Sequence, residues 1–149
     1  MKIDEFDKLN KKLYKPAFIT KAKNFVYLLC YSHVRSILKI SYNKNKFIIE
    51  DFFYTGKEIQ LIKSGWDIEL LLLCQNEIIL KDKNFNTQST FKIDKEFTID
   101  FLNISPLRKN IIYIIGKTKK NIIKIYEIKF SNNSFEIINN YLIPYIAEV

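Results

Sequence analysis

The chain is short of the residues that build helices and membrane spans. It holds three alanines, three glycines and three prolines among 149 residues. Alanine is the best helix former, so its scarcity argues against a helical protein. No apolar run approaches the roughly 20 residues that a transmembrane helix needs. Carboxylates at Asp4 and Glu5 stand where an export signal would be apolar. We therefore expect no membrane insertion and an intracellular, cytoplasmic location.

Residues typical of catalytic and metal sites are equally scarce. His33 is the single histidine, and the two cysteines, Cys30 and Cys74, lie inside apolar stretches where free thiols act as small hydrophobes. This set cannot form a zinc site or a disulfide framework. Gly116-Lys117-Thr118 matches the end of a phosphate loop, but a strand pattern follows it instead of the required helix. We expect no enzyme activity, no metal and no cofactor.

The positive charge comes almost entirely from lysine. With 24 basic and 16 acidic residues the net charge is +8, and 22 of the basic residues are lysines. A basic surface favours nucleic acid as a partner, although readers of phosphates and bases usually rely on arginine. The densest cluster lies at a predicted hairpin and is a candidate anion-binding site: Lys117, Lys119, Lys120 and Lys124. Lysines at hairpins also deter edge-to-edge aggregation, which is the alternative explanation.

The first 16 residues are predicted to form a short helix that precedes the main domain. Asp4 can cap it, and its apolar side chains share one stripe: Ile3, Phe6, Leu9 and Leu13. Pro16 lacks an N–H and ends the pattern.

Residues 17–149 are predicted to form one all-β domain. Short runs rich in Ile, Phe, Tyr, Val and Leu alternate with clusters of Asn, Lys, Gly and Ser, which is the pattern of strands and turns. The predicted strands are 17–20, 24–31, 35–42, 46–54, 57–63, 68–74, 77–81, 87–93, 96–103, 110–116, 121–130 and 134–143.

These strands repeat in groups of four. Asn24, Asp67 and Asn110 each open a continuous apolar run, at successive steps of 43 residues. A period of 40–45 residues with four strands per unit is typical of propeller blades. Blades pack face to face, so their inner strands are buried on both sides and become continuously apolar.

On this strand count and period, residues 17–143 resemble WD40-like β-propeller repeats. The Gly-His and terminal Trp-Asp marks of that family are missing, since the one Trp66-Asp67 pair precedes a second strand. The resemblance implies three four-stranded antiparallel blades. Propellers have 4–8 blades, so three do not close a ring. The chain is then part of a longer ring, or is completed by another chain, or is instead a β-sandwich or barrel meander.

The run Phe52-Phe53-Tyr54 is the predicted protein interface. Three consecutive aromatic side chains on a strand cannot all lie on one face, so at least one contacts a neighbouring blade or a partner. We expect a non-catalytic interaction scaffold whose partner is another protein or a second copy of the chain. The alternative is a basic protein associated with nucleic acid through the lysine hairpin.

Overall fold

The computed structural model describes residues 15–31, 35–55 and 58–144, and these form twelve β-strands. The strands are β1 (Lys15–Lys21), β2 (Val26–Tyr31), β3 (Ser36–Asn43), β4 (Lys46–Tyr54), β5 (Leu61–Gly65), β6 (Ile68–Cys74), β7 (Glu77–Lys81), β8 (Thr87–Lys92), β9 (Thr98–Ile104), β10 (Ile111–Lys117), β11 (Ile123–Ser131) and β12 (Ser134–Ile143). Each overlaps one predicted strand, so the all-β prediction is confirmed.

The strands form three four-stranded antiparallel sheets in chain order. The first sheet is β1–β4, the middle sheet β5–β8 and the last sheet β9–β12, and each is a simple meander. This grouping is the one that the repeat predicts. None of the three sheets closes on itself.

The predicted N-terminal helix is not supported. Its first 14 residues lie outside the described part of the chain, and Lys15 and Pro16 belong to β1. Pro16 would break a helix, but β1 is an edge strand, and the register shifts between Pro16 and Phe18. An edge position beside a bulge is where a strand accepts proline. The all-β region therefore begins by residue 15.

The middle sheet is buried on both faces because it lies between the other two. Leu70 of β6 packs in one apolar cluster with Tyr27 of the first sheet. The next residue, Leu71, packs in a second cluster with Ile114 of the last sheet. Successive side chains of a strand point to opposite faces, so β6 supplies both clusters. The first strands of neighbouring sheets also pack together: β1 packs against β5, and β5 packs against β9.

The three sheets stack front to back. We call the front of a sheet the face toward the next sheet along the chain, and for the last sheet the face away from the middle sheet. Tyr27 and Leu71 lie on fronts, and because Ile114 lies on the back of the last sheet, Tyr113 lies on its front. Leu70 lies on the back, although it is 43 residues after Tyr27. The predicted step is therefore one residue off for the middle sheet, and Tyr27, Leu71 and Tyr113 are equivalent.

The hairpins at the outer strands also follow the repeat. Lys44-Asn45 joins β3 to β4 and Asn132-Asn133 joins β11 to β12, and all four residues have positive φ, between 47° and 64°. Two such residues make the type I′ turn that suits a tight hairpin. The middle sheet has the longer connection 82–86 at this point.

The connection 82–86, between β7 and β8, packs against the first sheet. Asp82 Oδ1 accepts hydrogen bonds from the backbone N–H groups of Asn84 and Asn86, each at 2.9 Å, and these bonds lower the pKa of Asp82. The loop presents Phe85, which stacks on Phe53 of β4 with ring centroids 4.4 Å apart and planes 6° apart.

Candidate functional site

The front of the last sheet carries an apolar row that crosses all four strands. Cross-strand pairing places Phe101 beside Ile115, Ile115 beside Ile125, and Ile125 beside Tyr141. We call these four residues the front row. Phe101 is 50% exposed and Tyr141 is 49% exposed, while the two isoleucines between them are half-buried. Lys63 of β5 lies over the Phe101 ring, with its Nζ 5.4 Å from the centroid.

A fixed ion pair borders the front row on one side. Arg108 Nη1 donates to Glu127 Oε1 at 2.8 Å and to the Tyr113 hydroxyl at 3.0 Å. Glu127 is buried, so its charge needs this partner. The hydrogen bonds to Glu127 and Tyr113 raise the pKa of Arg108. On the other side of the row lie Lys117 and Ile123, which pair with each other. The front of the last sheet is thus an apolar strip, with polar groups along the Arg108 side and the mixed pair of Lys117 and Ile123 along the other.

The predicted interface residues Phe52, Phe53 and Tyr54 point to both faces of β4. Phe53 lies on the front of the first sheet, half-buried against Phe85. Phe52 lies on the back in a buried cluster with Leu38. Tyr54 is 54% exposed, and its ring is nearly perpendicular to that of Phe52, with centroids 4.5 Å apart. The expectation that one aromatic contacts a neighbouring sheet is met by Phe53. The interface with another protein stays a prediction.

The predicted lysine cluster lies at the hairpin between β10 and β11, but its members separate. Lys119 pairs with Glu96 at 3.2 Å, and Lys124 Nζ lies 4.7 Å from the centroid of the Tyr126 ring. Lys119, Lys120 and Lys124 line one cavity, whereas Lys117 lies on the front of the sheet. Anion binding by this cluster also stays a prediction.

The turns that open the predicted repeats meet at one end of the stack. Asp67 accepts hydrogen bonds from Asn110 Nδ2 at 3.0 Å and Lys23 Nζ at 3.5 Å, and Lys109 Nζ lies 3.3 Å away. The Asp67 backbone N–H donates to Asn110 Oδ1 at 3.1 Å. All three sheets contribute to this cluster, which the repeat pattern marked through Asp67 and Asn110 without showing that they touch. The bond from Asn110, followed by that from Lys109, lowers the pKa of Asp67.

The cysteines, and the side chains that could bind a metal ion, form no reactive cluster among the described residues. Cys30 and Cys74 are buried thiols, and burial raises the pKa of the Cys30 thiol. His33 lies outside the described residues. Within 15–31, 35–55 and 58–144, no three His, Cys, Asp or Glu side chains are grouped to hold a metal ion. The same residues include no helix with the length and apolar character to cross a membrane.

Sequence reasoning missed the front row because no single segment contains it. Its four members come from four strands and meet only through the pairing register. Phe101 and Tyr141 each lie in a strand that mixes polar and apolar residues, where an apolar residue on the open face has no distinctive sequence context. No protein-family model matches the chain, and no curated protein matches it.

Proposed function

We propose that the chain is a non-catalytic interaction scaffold, a three-blade segment of a propeller-like array that docks on another β-sheet through the front of its last sheet. The partner presents a sheet whose apolar face covers the front row. The supporting observation is the front-to-back stacking: the fronts of the first and middle sheets are each covered by the back of the next sheet. Tyr113, the counterpart of Tyr27 and Leu71, lies on a front that no described sheet covers.

The chemistry of the front row fits such a partner. Where the middle and last sheets meet, the covering back presents branched aliphatic side chains, including Ile112 and Ile114. The front row offers aromatic and branched aliphatic side chains of the same kind. A further sheet from another chain would therefore meet a surface similar to those already paired within this molecule. Burial of half-exposed aromatic rings is a typical source of binding energy at an interface.

The centre of the back of the first sheet is buried, although its rim carries exposed apolar side chains, among them Ile19 and Tyr42. Cys30 and Leu38 on that face are 2% and 3% exposed, so little of the centre of this face is accessible. Assembly of identical copies front to back would need that face. A different polypeptide is accordingly the proposed partner, and a second copy is an outcome that the experiment distinguishes.

The proposal is tested by site-specific photocrosslinking in the native cell extract. A photoreactive phenylalanine replaces Phe101 in the front row or, as a control, Phe47, an exposed aromatic at the β3–β4 hairpin of the first sheet. We expect position 101 to crosslink to β-strand peptides of a distinct protein and position 47 not to do so. Tyr141→Glu should abolish the crosslink from position 101, because it places a charge in the row.

Three results would contradict the proposal. Crosslinks from position 101 that persist in Tyr141→Glu would show that the row is not the contact. Crosslinks only to the chain itself would assign the face to a second copy. Loss of the crosslinks on nuclease treatment would show that nucleic acid, and not a protein sheet, holds the captured material. A contact dominated by apolar burial should also vary little between low and moderate salt.

A further inference from the structure

A second feature, on the opposite side of the last sheet, is a cavity of about 530 Å³ beneath the lysine hairpin. It lies between the turn at 94–97 that precedes β9, the connection 118–122 and the end of β12. Lys124 pairs with Leu142 across β11 and β12, and both line the cavity. They lie on the back of the sheet, so the cavity does not share the front row. A volume of this size suits a small organic ligand.

One wall of the cavity is apolar and partly open. Leu142 is 59% exposed, and Ile122 and Tyr126 are half-buried beside it. The ring of Tyr126 packs against that of Phe97 in a T-shaped arrangement, with centroids 5.0 Å apart. A flat ring could cover Leu142 and the edge of Tyr126 without displacing core residues. This wall favours a ligand with an apolar or aromatic part.

The rim of the cavity carries charges of both signs, and two lysines remain for a ligand. Lys119 is neutralised by Glu96, and Asp94 Oδ1 accepts the Glu96 backbone N–H at 3.1 Å. Lys124 lies over Tyr126, and Lys120 is exposed with no side-chain ion pair to any residue in the described part of the chain. Ammonium groups of this kind bind phosphate as point charges. The carboxylates of Asp94 and Glu96 offer acceptors for the N–H groups of a base.

We propose that this cavity binds a nucleoside phosphate, with the phosphate at Lys120 and Lys124 and the base against Leu142 and Tyr126. The ligand can be a free mononucleotide or one nucleotide of a single strand, because the recognised chemistry is the same. The inference is independent of the proposed scaffold function, since it uses the back of the sheet. It also gives the lysine hairpin a defined partner, which the net charge of the chain alone does not.

The test is equilibrium binding of the full chain to three probes: ATP, adenosine, and a fluorescein-labelled oligouridylate of about twelve nucleotides. The altered protein is the double variant Lys120→Gln/Lys124→Gln. The matched control is Lys44→Gln/Lys46→Gln, which removes the same charge at the exposed β3–β4 hairpin of the first sheet. Circular dichroism establishes that both variants remain folded.

We expect ATP to bind the wild-type chain and the control equally, adenosine to bind at least about tenfold more weakly, and the double variant to lose about tenfold or more in ATP affinity. Tighter binding of the oligouridylate than of ATP would assign the site to a single strand. In that case the double variant loses two phosphate contacts, so the slope of log K for the oligouridylate against log salt concentration should become shallower by about 1.4. Equal or tighter ATP binding would assign it to the free nucleotide.

A third variant tests the apolar wall without touching a lysine. Leu142→Ser removes the apolar side chain from the proposed base position without adding a charge beside Lys124, so it should weaken binding of ATP several-fold. Failure of every probe to bind the wild-type chain, or equal binding by the double variant and the control, would overturn the proposal. Unchanged binding by Leu142→Ser would overturn the placement of the base. Crosslinking from the front row should be the same in all these variants, which separates this result from that of the scaffold.

Discussion

The middle and last sheets are built from similar strands but are covered differently. In β6 six of seven residues are buried, on both faces. In β10 the back residues Ile112 and Ile114 are fully buried, whereas Tyr113 and Ile115 on the front are half-buried. An equally apolar strand is therefore core in one sheet and partly open in the next. A continuous apolar run thus indicates a strand suited to burial on both faces, and the surface that covers it need not belong to the same chain.

The largest expected effect separates the covered and open fronts. Leu71 on the front of the middle sheet is fully buried, so Leu71→Ala should lower the free energy of unfolding by about 3 kcal/mol. Ile115 lies on the open front, two residues after Tyr113, the counterpart of Leu71, and Ile115→Ala should cost about 1 kcal/mol because part of its surface is already in water. Urea unfolding followed by circular dichroism measures both changes. Equal losses for the two substitutions would mean that the last sheet is covered like the middle one.

How far the sequence predicts this arrangement depends on the length scale. The strands and their grouping follow from local patterns, since each run such as 68–74 is bounded by turn residues. The face that each residue occupies does not follow, because one residue more or less in a turn reverses every side chain of the next strand. In the middle sheet the extra residue is a bulge between β5 and β6 that leaves both Ile68 and Leu71 on the front, so a step of 43 residues pairs Tyr27 with Leu70 instead of Leu71.

The candidate sites show the same limit. The lysine hairpin is a local feature, and its position was predictable from the strand pattern. Its pairing with Glu96 was not, because Glu96 comes from a different connection, 23 residues earlier. The buried Glu127 is equally hidden in the sequence: a carboxylate in an alternating strand predicts exposure, and only its contact with Arg108 accounts for its burial.

A smaller effect on stability is expected from alanine substitution of two glycines, Gly116 in the last sheet and Gly65 in the middle sheet. A Cβ added at Gly116 of β10 would meet the backbone of Thr98 and approach Phe97 Cζ to 2.7 Å, because β9 crosses closely there. Gly116→Ala should therefore cost about 2 kcal/mol, since backbone atoms cannot move aside. A Cβ at Gly65 of β5 would meet only the Ile104 side chain, at 3.2 Å, so Gly65→Ala should cost less than about 1 kcal/mol. Thermal and urea unfolding of the two variants provides the comparison, and a reversed order would contradict the close approach of β9 to β10.

The smallest expected effect concerns the turns where the sheets meet. The hydrogen bonds from Asn110 and the lysines lower the pKa of Asp67 in the folded chain. A lowered folded pKa contributes stability that is present above the usual aspartate pKa of about 3.9 and is lost as the pH falls through the folded value. Asp67→Asn should therefore unfold at a slightly lower temperature than wild type at pH 7, and the difference should shrink as the pH falls below about 4.

Asp100→Asn is the matched control, because Asp100 is exposed on β9, away from these turns. Asp82 also has a lowered pKa, so the stability of Asp67→Asn should still fall somewhat at acid pH. A gap between Asp67→Asn and wild type that stays constant down to pH 2 would show that the carboxylate charge does not join the sheets. A gap that closes would show that the turns add an electrostatic link to the apolar packing between sheets.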